Sequence, residues 1–367
     1  MNTMNRARVS AAVAAAALLV GAGTSAASAA PHHASAPQGK PSASREHHQR
    51  IPFTAATVTA NDNGSYTLSW TAPGVRQVVV RANGRVVARG GSHATVTVKG
   101  LPAADRQWFD FVPARGGSLR LADREIQLSG TVNFRDAGGY RTSTGQWVRM
   151  GEVYRSGALN TLTPADVAKL SRLGIEVDYD LRTAGERTSA PDTVPAGATY
   201  VVADVIGGDI TTAIDLSSAE KSAQYMVDGE KAMVSSATGK AAYRLVFAGL
   251  ADDDRHAVLF HCSAGKDRTG WANAALLTAL GVPRATVMQD YLASNTYRAE
   301  ANAAALEAMP AGMAAAYKPL LDVRAEYLNS GFDEVGARFG SFENYEKKGL
   351  GLSSKEIREL KASLLVG

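Results

Sequence analysis

Residues 257 to 281 leave little freedom in how they fold. Ala257-Val-Leu-Phe260 is an unbroken apolar run that reads as a buried strand, and Thr269-Gly-Trp-Ala-Asn-Ala-Ala-Leu-Leu-Thr-Ala-Leu280 reads as a helix closed by Gly281. The residues between them, His261 to Arg268, must turn a strand into a helix within a short loop. In such a loop successive backbone N–H groups can face one hollow, to which the helix N-terminus adds unsatisfied donors and partial positive charge. The hollow suits an anion the size of a phosphate, and Gly265 and Gly270 remove Cβ atoms that would keep the backbone away from it.

Cys262, the only cysteine of the chain, opens this loop, and Arg268 follows it after five residues. A lone cysteine is ordinarily a small buried hydrophobe. Here the same field that attracts an anion also favours the thiolate. A free thiol has a pKa of about 8.5, and helix N-termini and cations bring it to roughly 3.5–7.5. Arg268 offers a planar fork for two oxygens of a bound phosphate. Attack by a thiolate at phosphorus would form a phosphocysteine, with Arg268 and the loop amides holding the equatorial oxygens. Thr269 is placed to hydrogen-bond the sulfur as it leaves. Positioning and electrostatics carry such a reaction, so no metal or other cofactor is expected. Phe260 stands where a nucleotide-binding loop would have its first glycine, which argues against that alternative.

The segment His261-Cys262-x-x-Gly265-Lys266-Asp267-Arg268-Thr269-Gly270 resembles the signature of atypical bacterial tyrosine and lipid phosphatases. Four further blocks resemble the same family in the same order: Asn133-Phe-Arg-Asp-Ala-Gly-Gly139, Val153-Tyr-Arg-Ser156, Asp180-Leu-Arg182 with Glu186, and Gly340-Ser-Phe-Glu-Asn-Tyr345 followed by Leu350-Gly-Leu352. Ala137 departs from the usual leucine, and a packing effect alone is expected. The resemblance implies a phosphatase domain over 129–367 whose general acid is Asp267, because no Trp-Pro-Asp sequence supplies one elsewhere. Asp180, Asp204 and Asp209 are the rivals. It also implies that Lys266 is a second cation at the loop rim, suited to highly charged head groups.

The expected catalytic set is therefore Cys262, Asp267, Arg268 and Thr269. The expected binding set is His261, Ser263, Ala264, Gly265, Lys266 and Gly270 of the loop, together with Arg135 and Asp136. His261 reads as a structural residue that tunes the thiolate. Arg135 and Asp136 read either as a buried ion pair bracing the loop or as direct phosphate contacts, and Asp180 and Arg182 as support behind it.

The rest of the chain sets the context. Arg6 and Arg8, the apolar run Ala11 to Val20 and the small-x-small Ala27-Ser-Ala29 read as a secretory signal peptide over 1–29, so an extracytoplasmic location is expected. Residues 30–50 are rich in Pro, Ser, Ala and His and read as a disordered linker; His32, His33, His47 and His48 there suggest at most adventitious metal binding. From 51 to 128 seven short alternating runs, Ala56-Thr-Val-Thr-Ala60 through Ser118-Leu-Arg-Leu121, predict a β-sandwich, and Asn83-Gly84 marks a hairpin. Leu68-Ser-Trp-Thr-Ala-Pro73 and Gly100-Leu-Pro102 resemble a fibronectin type III or immunoglobulin-like module, which reads as a spacer or adhesion unit of unknown ligand.

Strands near Glu152–Tyr154, Glu176–Asp180, Thr199–Val202 and Ala257–Phe260, alternating with helices such as Pro164–Leu173, Tyr225–Phe247 and Thr269–Leu280, predict an α/β domain with a mostly parallel sheet covered on both faces. Residues 207–236 are a lid or a surface excursion. Without Arg6 and Arg8 there are 37 basic residues against 35 acidic, a net charge of +2, which excludes a nucleic-acid binder on charge. After the leader no apolar stretch nears the ~20 residues of a membrane span.

Two readings follow from this set. The first is a secreted phosphatase acting on phosphorylated protein, most simply on phosphotyrosine with broad specificity, or on phospholipid through the same residues. The second is a phosphoprotein- or phospholipid-binding protein without turnover, which would not need the thiol.

Overall fold

The computed structural model describes residues 49–208, 214–252 and 257–367, which form one compact unit. The expected signal peptide, most of the expected linker and Asp209 lie outside the described residues.

Seven strands come first: β1 (Ala55–Ala60), β2 (Tyr66–Thr71), β3 (Val78–Ala82), β4 (Arg85–Gly90), β5 (His93–Val98), β6 (Trp108–Pro113) and β7 (Leu119–Ala122). They make two antiparallel sheets, ordered β1-β2-β5 and β4-β3-β6-β7. In β6 every second residue is buried, the period-two signature of a half-buried strand. Asn83 and Gly84 both have positive φ, 51° and 74°, as a tight turn between β3 and β4 requires. One core joins the sheets, with Trp70 of β2 set edge-on to Phe111 of β6 at 5.8 Å.

The chain then adds β8 (Arg135–Asp136), β9 (Trp147–Val148), β10 (Val153–Ser156), α1 (Pro164–Arg172), β11 (Val177–Asp180), α2 (Ala184–Ser189), β12 (Thr199–Val202), α3 (Ala219–Ser235), α4 (Ala237–Leu250), β13 (Val258–His261) and α5 (Arg268–Ala279). A five-stranded sheet runs β12-β11-β13-β10-β8, parallel except for β8. β13 lies at its centre and is buried along its length. Its side chains alternate between two cores. Val258 and Phe260 pack with α4 and α5, and Leu259 packs with Leu170 of α1. The sheet is thereby covered on both faces, and the loop after β13 emerges at the carboxyl end of the parallel strands, where open α/β sheets put their ligands.

The remainder is helical: α6 (Arg284–Leu292), α7 (Ser294–Tyr297), α8 (Ala299–Glu307), α9 (Ala311–Leu321), α10 (Ala325–Phe339), α11 (Phe342–Asn344), one π-helical turn (Tyr345–Gly349) and α12 (Ser354–Leu364), followed by β14 (Leu365–Val366) paired with β9.

Two expectations need correction. The single helix expected over Tyr225–Phe247 is two helices, broken at Ser236, whose ψ of 155° leaves the helix and whose Oγ accepts from Gly239 N at 3.0 Å. Gly239 is required there, since a Cβ would come within 2.0 Å of Met233 O. Within the 207–236 segment, α3 is no loose excursion: Ser330 Oγ of α10 donates to Val227 O at 3.1 Å, and Glu230 is buried.

The β-rich region also does more than hang from the rest. Arg106, between β5 and β6, donates from Nη1 to Asp136 Oδ2 at 2.6 Å and from Nη2 to Asp123 O at 3.0 Å, with its guanidinium over the Trp108 ring. Trp147 of β9 belongs to the apolar core of the β-rich region.

Candidate active site

The loop from Cys262 to Asp267 is held by its carbonyls. Ser263 O accepts from Ala158 N at 3.2 Å. Ala264 O accepts from Arg298 Nη1 at 3.0 Å and Asn133 Nδ2 at 3.3 Å. Gly265 O accepts from Arg155 Nη2 at 2.7 Å and Asn133 Nδ2 at 2.9 Å. Among the described residues no acceptor takes the N–H groups of Ser263 to Asp267. With three successive carbonyls tied down and the amides free, the loop is a backbone nest for an anion.

Gly265 makes this shape possible for a reason other than ligand approach. Its φ is +67°, and a Cβ would lie 2.3 Å from Ser156 O. Gly270 is likewise needed for packing, because a Cβ there would lie 2.8 Å from the Tyr291 ring.

Cys262 is buried at the base of the loop. Burial alone would push its thiol up, but the Arg268 guanidinium and the hydroxyl and N–H of Thr269 outweigh it and hold the thiol below its ordinary value. The Thr269 hydroxyl is buried with no hydrogen-bond partner among the described residues, close enough to help lower the Cys262 thiol.

Arg268 is gripped by Glu186, with Nη1 to Oε2 at 2.6 Å and Nη2 to Oε1 at 2.8 Å. This uses two of its N–H groups and leaves three for a ligand. Glu186 is set by a capping box on α2, in which its carboxylate accepts from Thr183 N while Thr183 Oγ1 accepts from Glu186 N. Glu186 also accepts from Ser263 Oγ.

Burial alone would raise the Glu186 pKa, yet the bonds from Arg268 and Ser263 bring it down to about 2. Its contribution to stability is therefore complete above the unfolded value of about 4.3 and is lost as pH falls through about 2. Glu186→Gln should cut kcat/KM roughly 10–100-fold by freeing Arg268. Its stability deficit against the parent should shrink between pH 5 and pH 2 in urea unfolding. A deficit that stays constant over that range contradicts the ion pair.

Among the described residues Arg135 and Asp136 form no ion pair with each other and no hydrogen bond to the loop. Arg135 bonds Asn133 Oδ1 and reaches Asp290 O at 3.0 Å and Ser294 Oγ at 3.3 Å. Asp136 takes Arg106, Gly138 N and Gly151 N. The ion-pair reading made from the sequence is corrected: both side chains are buried and brace the surroundings through other partners.

The hub is Asp290 of α6. It is fully buried and accepts from Arg155 Nη1 at 2.9 Å, Asn273 Nδ2 at 2.6 Å, Tyr140 Oη at 3.0 Å and Arg135 Nε at 3.4 Å. Burial opposes its charge, but Arg135 and Arg155 hold its carboxyl well below the usual range. Burial and the neighbouring Arg135 lower Arg155 to about 10. Asp290 lies in no motif that the sequence reading singled out, and only Val287 and Tyr291 are buried with it on α6.

Lys266 is not a rim cation. It is 3% exposed, and its Nζ donates to Asp267 at 2.8 Å and Asp322 O at 3.4 Å. Asp267 stays at the mouth of α5, partly exposed. Of its rivals, Asp180 is tied to Arg182 and to Tyr200 Oη at 2.6 Å, and Asp204 caps Ile206 N and Gly207 N.

His261 is turned away from the hollow. Its Nε2 lies 3.4 Å from Asp178 and 3.3 Å from Asp192, and although burial would lower its pKa, these carboxylates raise it to about 9. Asp178, Asp192 and His261 have metal-ligand spacing. Arg182 pairs with Asp192 within the same cluster.

Residues 126–366, well over half the chain, match the tyrosine phosphatase family. A putative tyrosine-protein phosphatase of Cupriavidus necator is 34% identical over 67% of this chain and 92% of its own. A tyrosine-protein phosphatase of Nostoc commune is 31% identical over 57% of this chain and 73% of its own. The triple specificity protein phosphatase PtpB of Mycobacterium tuberculosis is 28% identical over 65% of this chain and 98% of its own. With the buried cysteine and braced arginine at the loop, these matches establish that the chain belongs to the tyrosine phosphatase family and is a phosphatase.

Proposed function

We propose that this phosphatase hydrolyses phosphomonoesters through a phosphocysteine on Cys262, with phosphotyrosine in protein as its first substrate class. The observation that carries this reading is the loop whose Ser263, Ala264 and Gly265 carbonyls are bonded outward beside a thiol drawn toward its anion. Phosphate oxygens would take the free amides and the remaining Arg268 hydrogens. The Cys262 thiolate attacks phosphorus as the ester oxygen departs, taking its proton from Asp267. Water then attacks the phosphocysteine, Asp267 recovers a proton from it, and the thiolate leaves with Thr269 donating to the sulfur. Arg268, fixed by Glu186, needs no reorganisation in either step.

Export through residues 1–29 and a fibronectin-like identity for the β-rich region belong to the same reading. The Arg106–Asp136 ion pair supports a scaffolding role for that region beside any ligand it binds.

Acid quenching during turnover of a radiolabelled aryl phosphate tests the mechanism. The label should remain on the peptide carrying Cys262. Turnover with no label on that peptide would falsify the phosphocysteine.

A further inference from the structure

Three acids and an imidazole are buried together behind the phosphate loop. β11 supplies Asp178 and Asp180, β13 ends on His261, and the segment after α2 brings in Asp192; none of these side chains is more than 1% exposed. Arg182 pairs with Asp180 and Asp192, and among the described residues no other guanidinium or ammonium pairs with the three acids. Three carboxylates against one guanidinium leave two negative charges in a site shut off from water, and such a deficit has to be met by something. Asp178 accepts no hydrogen bond at either oxygen, and His261 Nε2 is buried without a partner as well. Nε2 stands 3.4 Å from Asp178 Oδ1 and 3.3 Å from Asp192 Oδ2, and the three donor atoms lie within 4.8 Å of one another. The ligand atoms of a tetrahedral Zn2+ bonded at 2.0–2.1 Å are about 3.3 Å apart. On the far side of the ring Nδ1 lies 3.5 Å from Cys262 O. A carbonyl accepting from Nδ1–H leaves the Nε2 lone pair facing the carboxylates, as a metal-bound histidine requires.

We propose that Asp178, Asp192 and His261 hold one divalent cation, Zn2+ by their donor chemistry, behind the phosphate loop. One imidazole and two carboxylates are the nitrogen and oxygen donors that Zn2+ takes, and the second oxygen of Asp178 supplies a fourth. Asp192 Oδ2 has two lone pairs, so it can ligate while Arg182 donates to it. A dication beside a neutral imidazole cancels the two negative charges. The ion is structural. It ties β11 to β13 and to the segment after α2, and through His261 it steadies the backbone at Cys262. It takes no part in phosphoryl transfer, so the phosphocysteine mechanism stands or falls separately.

The test is to unfold the full chain in guanidinium chloride with EDTA, remove both, and refold it under reductant with or without ZnCl2. Elemental analysis after gel filtration should find about one Zn2+ per chain. Zinc at about a hundredfold excess over its Kd should raise Tm by roughly 5 °C. Asp178→Asn keeps the shape but not the charge, and should lower the retained zinc at least about tenfold and erase the Tm shift. Cys262→Ser should keep both. Zinc retained in full by Asp178→Asn would put the ion on other donors, such as His32, His33, His47 and His48, and overturn the site. Loss of zinc from Cys262→Ser would put it on the thiolate, with the same result. A parent that holds no zinc and melts alike with and without it would mean that protons, one of them on His261, meet the charge instead. That outcome also overturns the site. If Asp178→Asn does not fold, the zinc content and melting shift of the parent and of Cys262→Ser still decide the question.

Discussion

Cys262→Ser should abolish release of p-nitrophenol from p-nitrophenyl phosphate, by roughly 10⁴-fold or more, in the presence of reductant and EDTA. The groups that draw the thiol toward its anion, Arg268 and Thr269, cannot bring a serine hydroxyl to ionise near neutral pH, so the variant keeps the anion site and loses the nucleophile. Inorganic phosphate should still bind, because the outward-tied carbonyls and the Glu186-held Arg268 are untouched. A variant retaining more than about one-hundredth of the parental rate would remove Cys262 from the mechanism. Inactivity of the parent as well would favour a protein that captures phosphate without turning it over.

Asp290→Ala carries the largest expected effect on stability. It strips one carboxylate from two buried arginines, from Asn273 and from Tyr140. Breaking a buried ion pair by removing one partner costs about 3–5 kcal/mol, which lowers Tm by roughly 10 °C in a protein of this size. Arg155 also holds Gly265 O, so the loss should reach the loop and depress turnover even well below the melting point. Asp290→Asn, which keeps the shape and can still accept one bond, should lie between. A Tm within about 2 °C of the parent would mean that the two arginines find other anions and that the network does not carry the loop.

How far this was legible in the sequence depended on whether the cause was local. The β13-loop-α5 segment was readable because an apolar run, a glycine and a helical pattern fix it within one stretch of chain. The seven β runs were readable from period-two alternation, and the turn at Asn83-Gly84 from its need for two positive φ values. What failed was tertiary. Lys266 looked like a rim cation because nothing nearby in sequence shows that Asp322 O lies against it, 56 residues on. Arg135 and Asp136 looked like a pair because they are adjacent, yet neighbouring strand residues point to opposite faces and meet different partners. Asp290 and Arg298 sit in no motif, and their importance exists only once α6 and α8 are packed against the loop. The break at Ser236 was missed because the helical periodicity of its flanks hid a cap.

The link from Arg106 to Asp136 bears on how this protein can be taken apart or recombined. A guanidinium 3% exposed on a carboxylate 0% exposed, with Trp147 threaded into the opposite core, is an internal joint rather than a docking contact. A catalytic fragment beginning near residue 129 would be born with an orphan charge under β8 and a bare indole beside it. The β-rich part is thus no interchangeable bead: transplanting a different module in its place would demand a matching arginine and a matching socket, and a lineage that lost one half would have to rebuild the other.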